Sequence, residues 1–317
     1  GKITREDLTA FERLSAANLS VKIFGKRAGT KPENSELLNM VDFYVSGGGE
    51  NVILEILNGN GDSCPGVNGN PPEQVSMDDI PFPDYSDFDL MDYTCKGKML
   101  RITGSRGCIR RCNFCDHYKF WPVFQWRKGD VIADEIFHQW STLPSKPDMF
   151  LFTDSLLNGS MKMLRGLCER LIALRKENPE FRPRYQSHFI TPSPKFMTID
   201  DWDGLEQSGC HVLNVGLESG SEKIRRAMNK KVTNEWIDFF VDQAYKRSIN
   251  MRWTFIVGFP EESDEDFFET VRFCEKYKWM NAKEDFFIHV LPTEFTLYEV
   301  DWVIDNPTRF IYFICFI

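Results

Sequence analysis

The sequence predicts an α/β fold: a partial six-fold β/α barrel preceded by a small, incomplete α/β segment. Three observations carry this. Short apolar strands alternate with amphipathic helical runs six times between Met99 and Leu291, and such alternation implies parallel strands joined by helical crossovers. A stretch dense in aspartate and proline, Met77 to Asp92, separates that repeat from what precedes it. The 317 residues, 42% hydrophobic and 27% charged, have the composition of a globular chain long enough for one large or two smaller domains. The expected boundaries are 1–76 for the first segment, 77–95 for an acidic proline-containing linker, 96–291 for the barrel and 292–317 for a C-terminal tail.

Each element follows in order. Met99 to Thr103 is the first strand, and Asp130 to Trp140 repeats Val131, Ile132, Ile136 and Trp140 at helical spacing. Asp148 to Thr153 is a short apolar strand, followed by a helix from Ser160 to Lys176. Arg184 to Ile190 is the third strand, with a short helix over Asp200 to Gln207. His211 to Leu217 is the fourth, followed by helices Ser221 to Met228 and Glu235 to Arg247. Asn250 to Val257 is the fifth, with a helix from Glu265 to Tyr277, and Phe286 to Leu291 is the sixth. Barrels of this kind place their chemistry at the carboxyl ends of the strands.

Composition excludes several classes. A net charge of -9 argues against general nucleic-acid binding. No apolar run reaches the roughly 20 residues that cross a membrane; the longest is Phe310 to Ile317. No signal peptide is visible, and nine cysteines without regular pairing suit a reducing, cytoplasmic setting. The chain begins at Gly1 and stops after Cys315-Phe316-Ile317, which reads as a fragment of a longer protein. Behind the acidic stretch the sign reverses, with Lys96, Lys98, Arg101, Arg106, Arg110, Arg111, Lys119, Arg127 and Lys128 against Asp116 alone. Most of these form a solvated face. Cations near a reduced metal cluster would also raise its potential and receive an acidic electron donor.

The chemistry concentrates in Gly107-Cys108-Ile109-Arg110-Arg111-Cys112-Asn113-Phe114-Cys115. Three thiolates at Cys-x3-Cys-x2-Cys spacing can wrap one face of a [4Fe-4S] cluster and leave one iron open. A zinc site completed by His117 is the competing reading, although Cys108 would then be surplus. The run resembles the signature of the radical S-adenosylmethionine (radical SAM) enzymes. That resemblance implies a cluster on Cys108, Cys112 and Cys115, with Phe114 beside it. It also implies S-adenosylmethionine on the open iron and its reductive cleavage to a 5′-deoxyadenosyl radical. Some of the neighbouring aromatics Tyr118, Phe120, Trp121, Phe124 and Trp126 would shield the cluster.

Three strand ends extend the resemblance over residues 96–291. They are Phe152-Thr153-Asp154-Ser155, Gly216-Leu217-Glu218-Ser219-Gly220-Ser221 running on to Arg225 and Met228-Asn229-Lys230, and Val257-Gly258-Phe259-Pro260-Glu261. By resemblance, Asp154 recognises the SAM amino group, and Glu218, Ser219 and Arg225 hold ribose and carboxylate. The Val257-Gly258 backbone lies against adenine. Taken singly, Glu-Ser-Gly is also a helix cap and Gly-Phe-Pro-Glu a turn.

The first segment, with Met40 to Glu50 and the helical run Asn51 to Leu57, resembles the tail of the cobalamin-binding-type domain found ahead of many radical SAM barrels. That domain holds cobalt with a histidine, and no histidine precedes His117. Cobalamin can still bind without a protein ligand, so it stays possible but unsupported by a histidine, and a structural remnant is the plainer reading. The scattered Cys64, Cys95, Cys168, Cys210, Cys274 and Cys315 read as core residues rather than an auxiliary cluster. Only Cys64 and Cys95 precede the motif, which weakens a methylthiotransferase reading.

The expected function is thus a radical SAM enzyme of unknown substrate, related to cobalamin-type methyltransferases or cyclases. It would be served by a flavodoxin- or ferredoxin-like donor. A non-catalytic iron–sulfur or zinc module, or a truncated inactive relative, is the alternative. The barrel mouth is expected to be only partly covered by Phe310 to Ile317.

Overall fold

The computed structural model describes residues 23–26, 41–46, 48–71, 76–115, 117 and 121–295. The tail expected over the barrel mouth lies outside them, as do Tyr118 and Phe120. Contacts divide the chain into two units, residues 1–80 with 116–122, and 81–115 with 123–317.

In the first unit, β1 (Ile23–Lys26) pairs in parallel with β2 (Phe43–Ser46), and α1 spans Glu50–Leu57. A small core of Val45, Val52, Ile56, Cys64 and Val67 forms beneath them. Asn68 closes the strand end: its backbone N–H donates to Tyr44 O at 2.8 Å, and its side-chain oxygen accepts from Tyr44 N at 3.0 Å.

The second unit is built on a sheet of β3 (Met99–Ile102), β6 (Met149–Phe152), β7 (Arg184–Phe189), β8 (Cys210–Glu218), β9 (Asn250–Val257) and β10 (Ile288–Glu294). These six lie in sequence order and every neighbouring pair is parallel. The linking helices are α2 (Gly129–Thr142), α3 (Met161–Glu177), α4 (Ile199–Ser208), α5 (Glu222–Ala227), α6 (Asn234–Lys246) and α7 (Asp264–Tyr277). The expected α/β order is therefore observed. Alternate strand residues such as Leu100, Phe150, Tyr185, Leu213, Trp253 and Ile288 join helix residues Ile136, Leu167, Trp202 and Phe240 in one buried core. Local signals agree with this packing. Thr198 with Asp201, and Ser263 with Asp266, form capping boxes at the starts of α4 and α7. Among the described residues no helix is long and apolar enough to cross a membrane.

Two boundaries differ from expectation. Residues 81–95 pack with the barrel unit rather than standing as a connector. Tyr85 and Leu90 rest on the main core, and Gln139 Nε2 donates to Pro83 O at 2.7 Å. The aspartates meanwhile cap turns, with Asp84 accepting from Ser86 N and Asp89 from Met91 N. The sixth strand begins two residues late. Phe286 is buried and stacks edge-on with Tyr245, and Phe287 N donates to the Asn250 side chain, so pairing starts at Ile288.

Candidate functional site

The cysteine loop leaves the sheet at the carboxyl end of β3. Its base is closed by a two-stranded antiparallel ribbon, β4 (Ser105–Arg106) against β5 (Gln125–Trp126). Two buried charged groups hold that base. Arg127 pairs with Glu135, and it donates from its side chain to Thr103 O and from its backbone to Gly104 O. Asp154, at the end of β6 and 1% exposed, accepts from Gly104 N at 2.7 Å and Ser105 Oγ at 2.8 Å. Burial pushes its carboxyl up to about 6 against those hydrogen bonds.

The loop tip is docked elsewhere, on the turn after α5. Asn113 N donates to Met228 O at 3.1 Å, Asn113 Nδ2 to Ala227 O at 2.7 Å, and Asn229 Nδ2 to Arg111 O at 2.7 Å. Phe114 packs against a small cluster of Ile224, Met228 and Phe259, which ties the loop to the segment after β9. Arg111 folds back to donate to Cys108 O at 2.8 Å.

Cys108, Cys112 and Cys115 lie along this docked loop, and Cys112 has two charged neighbours, Lys230 and Glu218. Burial pushes the Cys112 thiol above its ordinary value; the Lys230 cation opposes this, whereas Cys115, Glu218 and Cys108 add to it. Lys230 Nζ lies 2.8 Å from Glu218 Oε1 and 5.9 Å from the Phe114 ring centre. Glu218 sits at φ 68° on the last residue of β8, where the pairing with β9 slips by one residue. A non-glycine residue held there stores strain of the kind that marks functional positions. Gly216 makes room for it: a Cβ at that position would strike the Glu218 carboxylate.

The donor chemistry fits a cubic cluster, because three thiolates can each take a different iron. Among the described residues no group of three or more His, Cys, Asp or Glu stands ready-formed as a metal site.

The remaining expected SAM contacts divide. Glu218 stands at the site with one oxygen held by Lys230. Asp154 instead points inward, its two oxygens fixing the base of the cysteine loop. The Ser219 hydroxyl, fully buried, bonds Thr270 Oγ1 and Ser221 N. The Arg225 guanidinium, also fully buried, donates to Val232 O, Ser219 O and Asn234 Oδ1. In this fold the polar atoms of these three are met by the protein's own groups, as buried polar atoms generally are. At the β9 end, Gly258 N donates to Glu262 and Val257 O accepts from Phe295 N. What Gly258 leaves is space, with φ 82° and nothing within 4 Å of a Cβ placed there. Lys230 stands in the run that follows β8 in the sequence motif, but the sequence assigns it no role. Phe124 and Trp126 stack at 5.7 Å, with Trp126 largely exposed.

Comparison with known proteins bears on the family and the fold. Residues 102–274 match the family described as the Radical SAM superfamily. A tRNA-2-methylthio-N(6)-dimethylallyladenosine synthase of Acinetobacter baumannii is 27% identical over 219 residues, covering 64% of this chain and 43% of that protein. An uncharacterized methyltransferase of Pyrococcus horikoshii is 24% identical over 214 residues, covering 66% and 44%. The chain thus spans less than half the length of these curated relatives. Among solved structures, the radical S-adenosylmethionine methyltransferase TsrM of Kitasatospora setae matches with TM-score 0.65 and 18% identity, covering 90% of this chain and 57% of TsrM. The cobalamin-dependent S-adenosylmethionine radical enzyme OxsB matches with TM-score 0.68 and 18% identity, covering 84% and 41%. At such identities the likeness is one of fold.

Proposed function

Because the chain belongs to the radical SAM superfamily, we propose that it is an enzyme whose Cys108, Cys112 and Cys115 hold a [4Fe-4S] cluster. When bound and reduced, that cluster would supply the electron that cleaves S-adenosylmethionine to methionine and a 5′-deoxyadenosyl radical. The observation that carries the reading is the docking of the cysteine loop, through Asn113 and Asn229, onto the turn that bears Lys230 beside Glu218.

Each group of the chain then has a task. Lys230 places a positive charge by Cys112, which favours the more negative, reduced form of a cluster there. Glu218 offers its second carboxylate oxygen to hydroxyl or ammonium donors of the bound sulfonium. Phe114 and the apolar cluster beneath it exclude water from one side of the loop. Arg106, Arg110 and Arg111 surround the loop with cations, which suits an acidic donor of flavodoxin or ferredoxin type.

Methyl transfer is named for two of the proteins that this chain resembles, and cobalamin for OxsB. No histidine occurs in residues 1–116, so a histidine-held cobalt has no ligand in that segment, and no step is derived through it.

Anaerobic reconstitution tests the proposal. About four irons per chain are expected, together with 5′-deoxyadenosine on addition of dithionite and SAM. Cys108→Ala, Cys112→Ala and Cys115→Ala should each lose the iron, whereas Cys274→Ala, a buried core thiol pushed up to about 12, should keep it. Glu218→Gln should keep the iron and weaken SAM binding. Zinc in place of iron, or no 5′-deoxyadenosine, would remove the enzymatic reading.

A further inference from the structure

The face of the sheet away from the helices carries a charge pattern that the cysteine site does not use. Strand residues alternate sides. With Tyr185, Leu213, Trp253 and Ile288 in the core, Gln186, Asn214, Arg252 and His289 stand on the opposite face. Register sets Asn214 beside Arg252 and Arg252 beside His289. Side chains then link them: Arg252 Nη1 donates to Gln186 Oε1 at 3.1 Å, and Gln186 Nε2 to Asn214 Oδ1 at 3.4 Å. Nearer the amino ends of the strands, Arg184 Nη1 lies 3.4 Å from His211 Nε2. The His211 imidazole is held below its ordinary value by burial and then by the cations of Arg184 and Arg252.

Among the described residues neither Arg184 nor Arg252 forms an ion pair with a carboxylate, whereas Arg165, Arg170, Arg247 and Arg272 do. Two guanidinium groups on one sheet face, both close enough to act on His211, add their positive fields there. Their positive field lies in a chain of net charge -9. Leu151, paired with Gln186, supplies an apolar wall beside them. Arg252 stands five residues before Val257, which is about 16 Å along the strand from the edge where Glu218 and Gly258 lie. The cluster of cations is therefore a station separate from the one proposed for SAM.

We infer that this inner face binds an anionic small-molecule substrate, a carboxylic acid or a phosphate monoester. Its head group supplies the missing counter-charge between Arg252 and Arg184, and its apolar body runs along Leu151 toward the cysteine loop. The inference rests on the catalytic reading above for the role of the bound molecule, but not for the binding itself. The Arg252 fork, already steadied by Gln186, is preorganised for bidentate contact with a carboxylate or phosphate.

The test follows the histidine ring signals of the full chain by NMR while acetate, benzoate or inorganic phosphate is added at fixed ionic strength in chloride. Saturable shifts of His211 and His289 are expected with at least one of the three. Tighter binding of phosphate would identify a phosphate ester, and tighter binding of benzoate than acetate an acid with an apolar body. Arg252→Gln should weaken that anion about tenfold or more, and Arg252→Lys by less. Arg184→Gln, a change at an exposed side chain, gives a second variant should Arg252→Gln fail to fold. Lys195→Gln, on the outer surface, should change nothing. Shifts that never saturate, or that persist undiminished in both arginine variants, would overturn the inference. A protein that cleaves SAM yet binds no anion here would defeat this inference alone. One that binds anions at Arg252 yet loads no iron would defeat the catalytic reading alone.

Discussion

Lys230 Nζ lies 2.8 Å from Glu218 Oε1, and the pair joins the turn after α5 to the strained end of β8. Both side chains are nearly covered, at 12% and 10% exposure, so neither charge is screened well by water. Lys230→Met leaves Glu218 without its partner beside the thiols. Such one-sided removal costs roughly 3 kcal/mol in a buried pair. The same change withdraws a cation from the cluster and should make its potential more negative, while Lys230→Arg should restore most of it. Urea unfolding checks the first effect, and a redox titration followed by electron paramagnetic resonance checks the second. An unchanged potential would mean that Lys230 serves Glu218 alone.

Gly216 and Gly258 should respond in opposite ways to alanine. At Gly216 a Cβ would displace the Glu218 carboxylate and crowd Lys230 Nζ at 3.0 Å, so Gly216→Ala should weaken SAM binding strongly. At Gly258 the Cβ meets open space, and the only penalty is φ 82°, worth about 1 kcal/mol. Gly258→Ala should thus lower the melting temperature by a few degrees and leave iron content intact. Calorimetry and SAM titration on the two variants separate these outcomes.

Asp154 carries a pH signature. Its carboxyl is pushed up to about 6 in the folded chain, chiefly by burial, from an ordinary value of 3.8. The folded state therefore holds a proton that the unfolded state releases between those values. Its contribution to stability is full below pH 3.8 and is lost as the pH rises through 6. Asp154→Asn keeps a side-chain acceptor for Gly104 N and removes the titration. The stability of the variant relative to the parent should therefore rise between pH 4 and pH 7. A difference that stays flat across that range would show that Asp154 does not titrate there.

Most of the barrel was legible because its strands are apolar on the helix side and its helices carry clear starts, such as Thr198 and Ser263. The sixth strand was misplaced because Phe286 looks like strand but serves the core, and because Pro292 is acceptable only on an edge strand such as β10. The cysteines were legible from spacing alone. The partners of Asp154, Ser219 and Arg225 were not, since a motif places a residue at a strand end without saying which way its polar atoms turn. Thr270, Asn234 and Gly104, which take up those atoms, lie 51, 9 and 50 residues away in the sequence, and the fold returns them. Their distances in the chain carry no period that could be read.

Arg225 offers the sharpest separation between a structural role and a ligand role. Its guanidinium is fully buried, and burial lowers its pKa to about 10, yet it donates to Val232 O, Ser219 O and Asn234 Oδ1 at once. Three acceptors from two segments meet on that one planar fork, and a lysine ammonium on a flexible stem cannot reach them together. Arg225→Lys should therefore destabilise the chain by at least about 3 kcal/mol, the worth of two charge-assisted hydrogen bonds lost in the interior. Because Arg225 fixes Ser219 and the turn that follows, SAM affinity measured on the folded fraction should change far less than it does in Glu218→Gln. Denaturant unfolding gives the first quantity and equilibrium dialysis with labelled SAM the second. A stable Arg225→Lys protein that had lost SAM binding would return this arginine to the ligand.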